Sequence, residues 1–120
     1  MAKKLTVYQY PKCSTCRKAL KWLDAQGVAY ESVHIVEEPP SAGVLKKAFK
    51  ASGKPIKAFF NTSGESYREG GFKDRLPTLT EAEALSALSA DGKLIKRPLA
   101  LLGDTVLVGF DEREWKLALG

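Results

Sequence analysis

Leu5-Thr6-Val7-Tyr8-Gln9-Tyr10 alternates large apolar and polar positions and is rich in β-formers, which predicts a strand that Pro11 ends. From Cys13 the period changes. Cys16, Leu20 and Leu23 fall on one helical face with Ala19 and Trp22 beside them, while Lys12, Arg17, Lys18 and Lys21 fall mostly opposite. Ser14 or Cys13 stands at the N-cap, and Gln26-Gly27 supplies the stop. Alternation returns over residues 30–36 as a second strand. The first 36 residues therefore form a β-α-β unit with Cys13 and Cys16 at the strand-to-helix turn. If both strands share a sheet, such a crossover makes them parallel and right-handed.

Pro39-Pro40-Ser41 punctuates the chain and caps a helix expected at about 42–51, with Val44, Leu45, Ala48 and Phe49 as its apolar face and Gly53 closing it. Residues 55–60 read as a short helix. Asn61-Thr62-Ser63-Gly64 reads first as a turn and second as a polar lip to a site. The pattern places no element over residues 65–74. Thr80-Glu81-Ala82-Glu83 has the spacing of a capping box and starts a helix that runs to about Ala90. Residues 99–102 and 105–108 are short apolar runs joined by Gly103-Asp104, which predicts a tight hairpin. A last helix is expected at about 111–119, with Trp115 and Leu119 inward; Trp22, Phe59 and Phe60 join the expected core. The order β-α-β, a helical block at about 41–90, then β-β-α, is that of an α/β thioredoxin-like fold with a helical insertion, in one domain of residues 1–120.

A length of 120 residues suits one domain, and 44% hydrophobic with 28% charged residues excludes disordered and fibrous classes. No apolar run approaches the roughly 20 residues that a bilayer crossing needs. The run from Leu5 to Tyr10 behind the basic start MAKK is too short for a signal-peptide core, so a cytoplasmic location without a membrane partner is expected. The net charge of +5 admits an anionic partner. Its sources, Lys46-Lys47, Lys50, Lys54, Lys57 and Lys93 to Arg97, are dispersed and form no stripe with interleaved aromatics, so no direct nucleic-acid binding is expected.

Two cysteines are too few for a disulfide scaffold, so their spacing carries the information. In Cys13-Ser14-Thr15-Cys16 the two intervening residues let one helical turn bring the sulfurs within reach of each other. A thiolate at a helix N-terminus gains from the dipole and the free N–H groups, and Lys12, Arg17 and Lys18 add positive charge. The expected roles are Cys13 as nucleophile and Cys16 as resolving thiol. Half of a zinc site, a static disulfide and two inert thiols are the competing readings; zinc would need two further ligands, and His34 is the one histidine. Arg97-Pro98 reads either as an edge-strand start or as a substrate-binding pair beside the dithiol. Asp24, Glu37 and Glu38 read as solvated surface.

The motifs Tyr8-x-x-Pro11-x-Cys13-x-Thr15-Cys16-Arg17-Lys18-Ala19, Glu38-Pro39-Pro40, Asn61-Thr62-Ser63-Gly64-x-x-Tyr67-Arg68, Arg97-Pro98 and Val108-Gly109-Phe110-Asp111-Glu112-x-Glu114-Trp115 run nearly end to end. Together they resemble the arsenate reductase-like family that includes the Spx regulators. The resemblance implies a thioredoxin-like core with a helical insertion and a cis Pro98 beside the dithiol. Reductases of that family hold their oxyanion with three arginines; Arg97 matches one, whereas Asn61 and Gly109 stand at the other two positions, which disfavours arsenate reduction. Spx regulators use a Cys-x-x-Cys as a disulfide switch on RNA polymerase, which makes that enzyme the alternative partner. They continue with a charged tail past the position of Gly120, and this chain looks most like the small reductase-like members. No cofactor is expected. Glutathione or a thioredoxin- or glutaredoxin-type protein would serve as the thiol reductant.

Overall fold

In the computed structural model, which describes residues 4–119, the sheet is organised around β1 (Leu5–Gln9). It pairs in parallel with β2 (Tyr30–His34), Leu5 opposite Tyr30 and Gln9 opposite His34. On its other edge it pairs antiparallel with β3 (Leu99–Leu102), Val7 opposite Ala100. β3 then pairs antiparallel with β4 (Thr105–Val108) through the two-residue turn Gly103-Asp104, giving the order β2-β1-β3-β4. The starting residues Met1, Ala2 and Lys3 of the basic N-terminus, and Gly120, lie outside the described residues.

Period-two alternation sorts the strand side chains onto two faces. Leu5, Val7, Ala100 and Leu107 face a cluster completed by Ala19 and Leu23 of α1 (Ser14–Ala25) and Trp115 of α6 (Glu112–Leu119). Tyr8, Leu99, Leu101, Val106 and Val108 face a larger cluster supplied by α2 (Ala42–Ser52), α5 (Glu81–Ala90) and the segments between them. The result is a thioredoxin-like α/β fold with the helical segments of residues 42–94 lying between β2 and β3.

Local chemistry sets the helix ends. Ser41 Oγ accepts the Val44 N–H at 3.2 Å, and Gly53 ends α2 in the left-handed region at φ 67°. At α5 the expected capping box is complete: Thr80 Oγ1 accepts from Glu83 N–H at 3.1 Å and Thr80 N–H donates to Glu83 Oε1 at 2.9 Å. At α6, Asp111 stays outside the helix and accepts the Glu114 N–H at 3.1 Å.

Four readings of the pattern are corrected. β2 ends at His34 rather than at residue 36, because Glu38 N–H turns back to His34 C=O at 2.8 Å. α3 (Glu65–Glu69) and α4 (Phe72–Arg75) occupy the stretch where no element was expected; five and four residues are too few to display a 3.6 period. Tertiary packing holds them, with Phe72 5.6 Å from Phe60 and 6.1 Å from Tyr67 between ring centroids. Val44 is 36% exposed and off the buried face of α2. Trp22 is half-buried at the rim of its cluster, 6.4 Å from Trp115. Among the described residues no helix is long and apolar enough to cross a membrane.

The strictest local constraint is at Gly92, which opens a 3-10 turn (Gly92–Leu94). A Cβ there would run into the Ile35 carbonyl oxygen, so main chain meets main chain where the insertion reaches the end of β2. Gly92→Ala is expected to cost at least about 2–3 kcal/mol by forcing main chain apart. Gly27→Ala, in open space at φ 69°, should cost only about 1 kcal/mol. Urea unfolding of the two variants checks the contrast; equal losses would show that the Gly92 contact relaxes freely.

Candidate dithiol site

β1 delivers the chain to Tyr10, and Cys13 N–H closes back on Tyr10 C=O at 2.9 Å. Arg17 Nη1 braces the same turn by donating to Pro11 C=O at 3.0 Å. Of the two N-cap candidates it is Cys13 that takes the place, with extended backbone at φ −90°, ψ 117°. Its sulfur accepts the Cys16 N–H at 3.4 Å, a role usually filled by a side-chain oxygen. Cys16 lies one turn inward, fully buried, and its sulfur accepts the Tyr10 N–H at 3.5 Å. Both thiols are free.

The two sulfurs are placed in opposite electrostatic settings. Burial alone would push the Cys13 thiol up. Hydrogen bonds from the Cys16 backbone and thiol, the Arg97 charge and the Thr15 N–H outweigh it, and Cys13 is held below the ordinary thiol value. Burial dominates at Cys16, and the hydrogen bond to Cys13 and its neighbouring charge add to it, so that thiol is pushed up to about 12. Cys16 is thus held toward its protonated form and Cys13 toward its thiolate.

Arg97 and Pro98 arrive from the start of β3. Their peptide bond is cis and Pro98 is buried, its carbonyl accepting the Gly109 N–H at 2.9 Å. The Arg97 guanidinium lies 5.1 Å over the Tyr10 ring, and its charge reaches both sulfurs. The sequence-predicted residues Cys13, Cys16, Arg97 and Pro98 therefore converge at one end of the sheet.

Beside them, Tyr10, Asn61, Gly64, Glu65, Ser66, Lys93 and Arg97 line a depression of about 250 Å³. Residues 61–64 are thus both turn and lip: Gly64 N–H donates to Asn61 C=O at 3.1 Å, while Asn61 and Gly64 face the depression. Asn61 is brought there by a short pairing in which its N–H donates to Leu94 C=O at 2.8 Å and Lys96 N–H to Phe59 C=O at 2.8 Å. The sequence had singled out neither Tyr10 nor Glu65, Ser66 and Lys93 as site residues. Tyr10 had one signal, its position between a strand and the Pro-x-Cys turn. The others come from α3 and the turn after α5, which only the fold brings together. A larger hollow of about 720 Å³ between α1 and α6 is lined by Trp22, Gln26, Glu112, Arg113, Lys116 and Leu117, and includes neither Tyr10 nor Arg97.

His34 stands at the other side of Tyr10, its ring edge-on at 5.6 Å and its Nδ1 accepting the Glu37 N–H at 3.2 Å. Among the described residues, no three His, Cys, Asp or Glu side chains converge as metal ligands.

A thioredoxin-like fold with a dithiol in the first turn of its first helix defines the class of protein. Within that class, the model of the ArsC family matches residues 8–118, and the chain belongs to this family. YusI of Bacillus subtilis (strain 168) is 50% identical over 112 residues, covering 93% of this chain and 95% of that protein. The crystal structure of an ArsC-family-related protein from Bacteroides fragilis superposes with a TM-score of 0.92 at 45% identity, covering 98% of both chains. The regulatory protein MgsR of B. subtilis is 26% identical over 114 residues, 95% of this chain and 89% of that one. The family thus holds arsenate reductases as well as regulators of the Spx and MgsR kinds.

The opposed thiol settings predict a pH order of reaction. The thiolate is the species that alkylates, so Cys13 should react with iodoacetamide increasingly as pH rises through values below 9.0, while Cys16 stays protonated until about 12. Peptide mass spectrometry at pH 8 is expected to find one label per chain, on Cys13. Equal labelling, or labelling of Cys16 first, would reverse the electrostatic assignment.

Proposed function

We propose that this chain is a thiol–disulfide oxidoreductase in which Cys13 attacks and Cys16 resolves. The supporting observation is the pair of opposite settings one helical turn apart: a partly exposed Cys13 held toward thiolate and a buried Cys16 held toward thiol. In the first step the Cys13 thiolate attacks one sulfur of a substrate disulfide. A mixed disulfide forms, and the other substrate sulfur leaves as thiolate and takes up a proton. Cys13 then carries no charge and no longer favours the proton on Cys16. In the second step Cys16 gives up that proton and attacks Cys13 Sγ, the remaining substrate sulfur leaves and is protonated, and a Cys13–Cys16 disulfide forms. The substrate gains two electrons and the dithiol loses two. A thiol reductant of the glutathione, thioredoxin or glutaredoxin class returns them, in keeping with a cytoplasmic setting. Arg97 orients an anionic or sulfur group of the substrate, and Pro98 shapes the wall of the groove.

A second reading, a redox-sensing regulator that binds RNA polymerase, draws its support from the likeness to MgsR along nearly the whole chain. Cys16→Ser separates the two. It should accumulate mixed disulfides on Cys13 when used as bait in lysate, all released by dithiothreitol. RNA polymerase retained through dithiothreitol washing, with no trapped thiol partner, would favour the regulator instead.

Arsenate reduction has weaker support. With Arg97 retained and Asn61 and Gly109 in place of further arginines, two charge-assisted anchors are missing, each worth on the order of 1.5–3 kcal/mol. Arsenate should therefore bind weakly and turn over slowly even with glutathione and glutaredoxin present. Asn61→Arg is expected to tighten arsenate binding, since Asn61 faces the same depression as Arg97. Gly109→Arg is a poor route, because Gly109 sits at φ 74° and a Cβ there would come within 3.3 Å of Lys96 Cε. Turnover of arsenate by the unmodified chain at the rate of a dedicated reductase would refute the argument from missing arginines.

A further inference from the structure

We infer that Tyr10 is the positioning residue of the dithiol site: its ring is the platform that keeps the Arg97 guanidinium beside the two sulfurs, while its backbone anchors both cysteines. The backbone part is direct. Tyr10 C=O accepts from Cys13 N–H at 2.9 Å and Tyr10 N–H donates to Cys16 Sγ at 3.5 Å. The ring supplies what backbone cannot. Arg97 is a long side chain with many rotamers, and it has no carboxylate to fix it; among the described residues the ion pair present is Lys4 with Glu31. What it does have is the face of Tyr10, with its guanidinium carbon 5.1 Å from the ring centroid.

The platform is itself held. The ring of His34, the last residue of β2, meets Tyr10 at 5.6 Å with planes 79° apart, and His34 is oriented by the Glu37 N–H on its Nδ1 at 3.2 Å. Pro11 further confines Tyr10 to extended backbone. A line of ring contacts thus runs from the edge strand β2 through Tyr10 to Arg97, whose charge acts on Cys13 together with the N–H groups that start α1. Tyr10 and Arg97 both line the depression of about 250 Å³, and the Tyr10 backbone carries the hydrogen bonds to the two cysteines.

The role in turnover rests on the exchange reading proposed above; the geometry does not. The test is the pH profile of iodoacetamide alkylation at Cys13 in the full chain, read by mass spectrometry for Tyr10→Leu, Arg97→Gln, the double variant and Tyr10→Phe. Tyr10→Leu should shift the profile to higher pH, as Arg97→Gln does, slowing alkylation at neutral pH about three- to tenfold, the effect of half to one pH unit. The double variant should be no slower than Arg97→Gln alone, because both changes remove one interaction. Tyr10→Phe, which keeps the ring, should restore the original profile. Tyr10→Met, apolar but ringless, takes the place of Tyr10→Leu if circular dichroism shows that variant unfolded. An unshifted profile in the ringless variant, or two losses that multiply in the double one, overturns the platform role. Failure of the exchange reading shows differently, as reduction of a model disulfide that survives Cys13→Ser, and leaves the alkylation result standing.

Discussion

The end of β1 is the point on which the site depends. β1 is paired along both edges and covered on both faces, with Val7 wholly inaccessible, so it is the least movable part of the sheet. The chain leaves it at Tyr10 and enters α1 at Ser14, and in that interval the Tyr10 N–H and C=O and the Cys13 N–H are all tied into the turn around the sulfurs. Because the strand cannot shift, the turn cannot either, and the helix start is delivered to the same place each time the protein folds. The second half of the site reaches that place through β3, which lies against β1 and begins one residue after Pro98. Two segments nearly ninety residues apart in sequence meet because each adjoins the same strand.

Much of this was legible from the chain alone, for identifiable reasons. The switch from alternation to a 3.6 period between Tyr10 and Cys16 located the strand-to-helix turn, and a Cys pair at that turn has few competing explanations. The capping box at Thr80 and the Gly-Asp hairpin at residue 103 are short-range signals that need no tertiary information. α3 and α4 were not legible, because helices this short are stabilised by the rings of Phe60, Tyr67 and Phe72 rather than by their own pattern. The same distinction applies to the site. Cys13 and Cys16 declare themselves by spacing, whereas Lys93, Ser66 and Glu65 join it only after the pairing of residues 59–61 with 94–96 has been made.

Gly109 and Asn61 are held by the fold in different ways. Gly109 is buried, donates its N–H to Pro98, and receives the Trp115 indole N–H on its carbonyl at 3.1 Å. The residue therefore serves the fold at the junction of β4 and α6, and its left-handed backbone makes a side chain there strained in this chain. Asn61 is under no such restriction. In this chain, then, a cation is added to the depression more readily at Asn61, which lines it, than at Gly109.

Cys13 as the cap of α1 has a thermodynamic corollary. A titrating cap makes folding and proton binding a single linked equilibrium. The folded chain releases the Cys13 proton more readily than the unfolded chain does, so between that lowered value and 9.0 stability rises with pH, and this contribution is lost as pH falls through the folded value. Cys16 has the opposite sign. Between 9.0 and about 12 the unfolded chain gives up a proton that the folded chain keeps, and stability falls. The contribution of the pair to folding therefore peaks near the ordinary thiol value, its alkaline limb belonging to the buried sulfur and its acid limb to the capping one. The charge on the sulfur that caps α1 is, in this sense, one of the contributions that decide how stable the whole fold is.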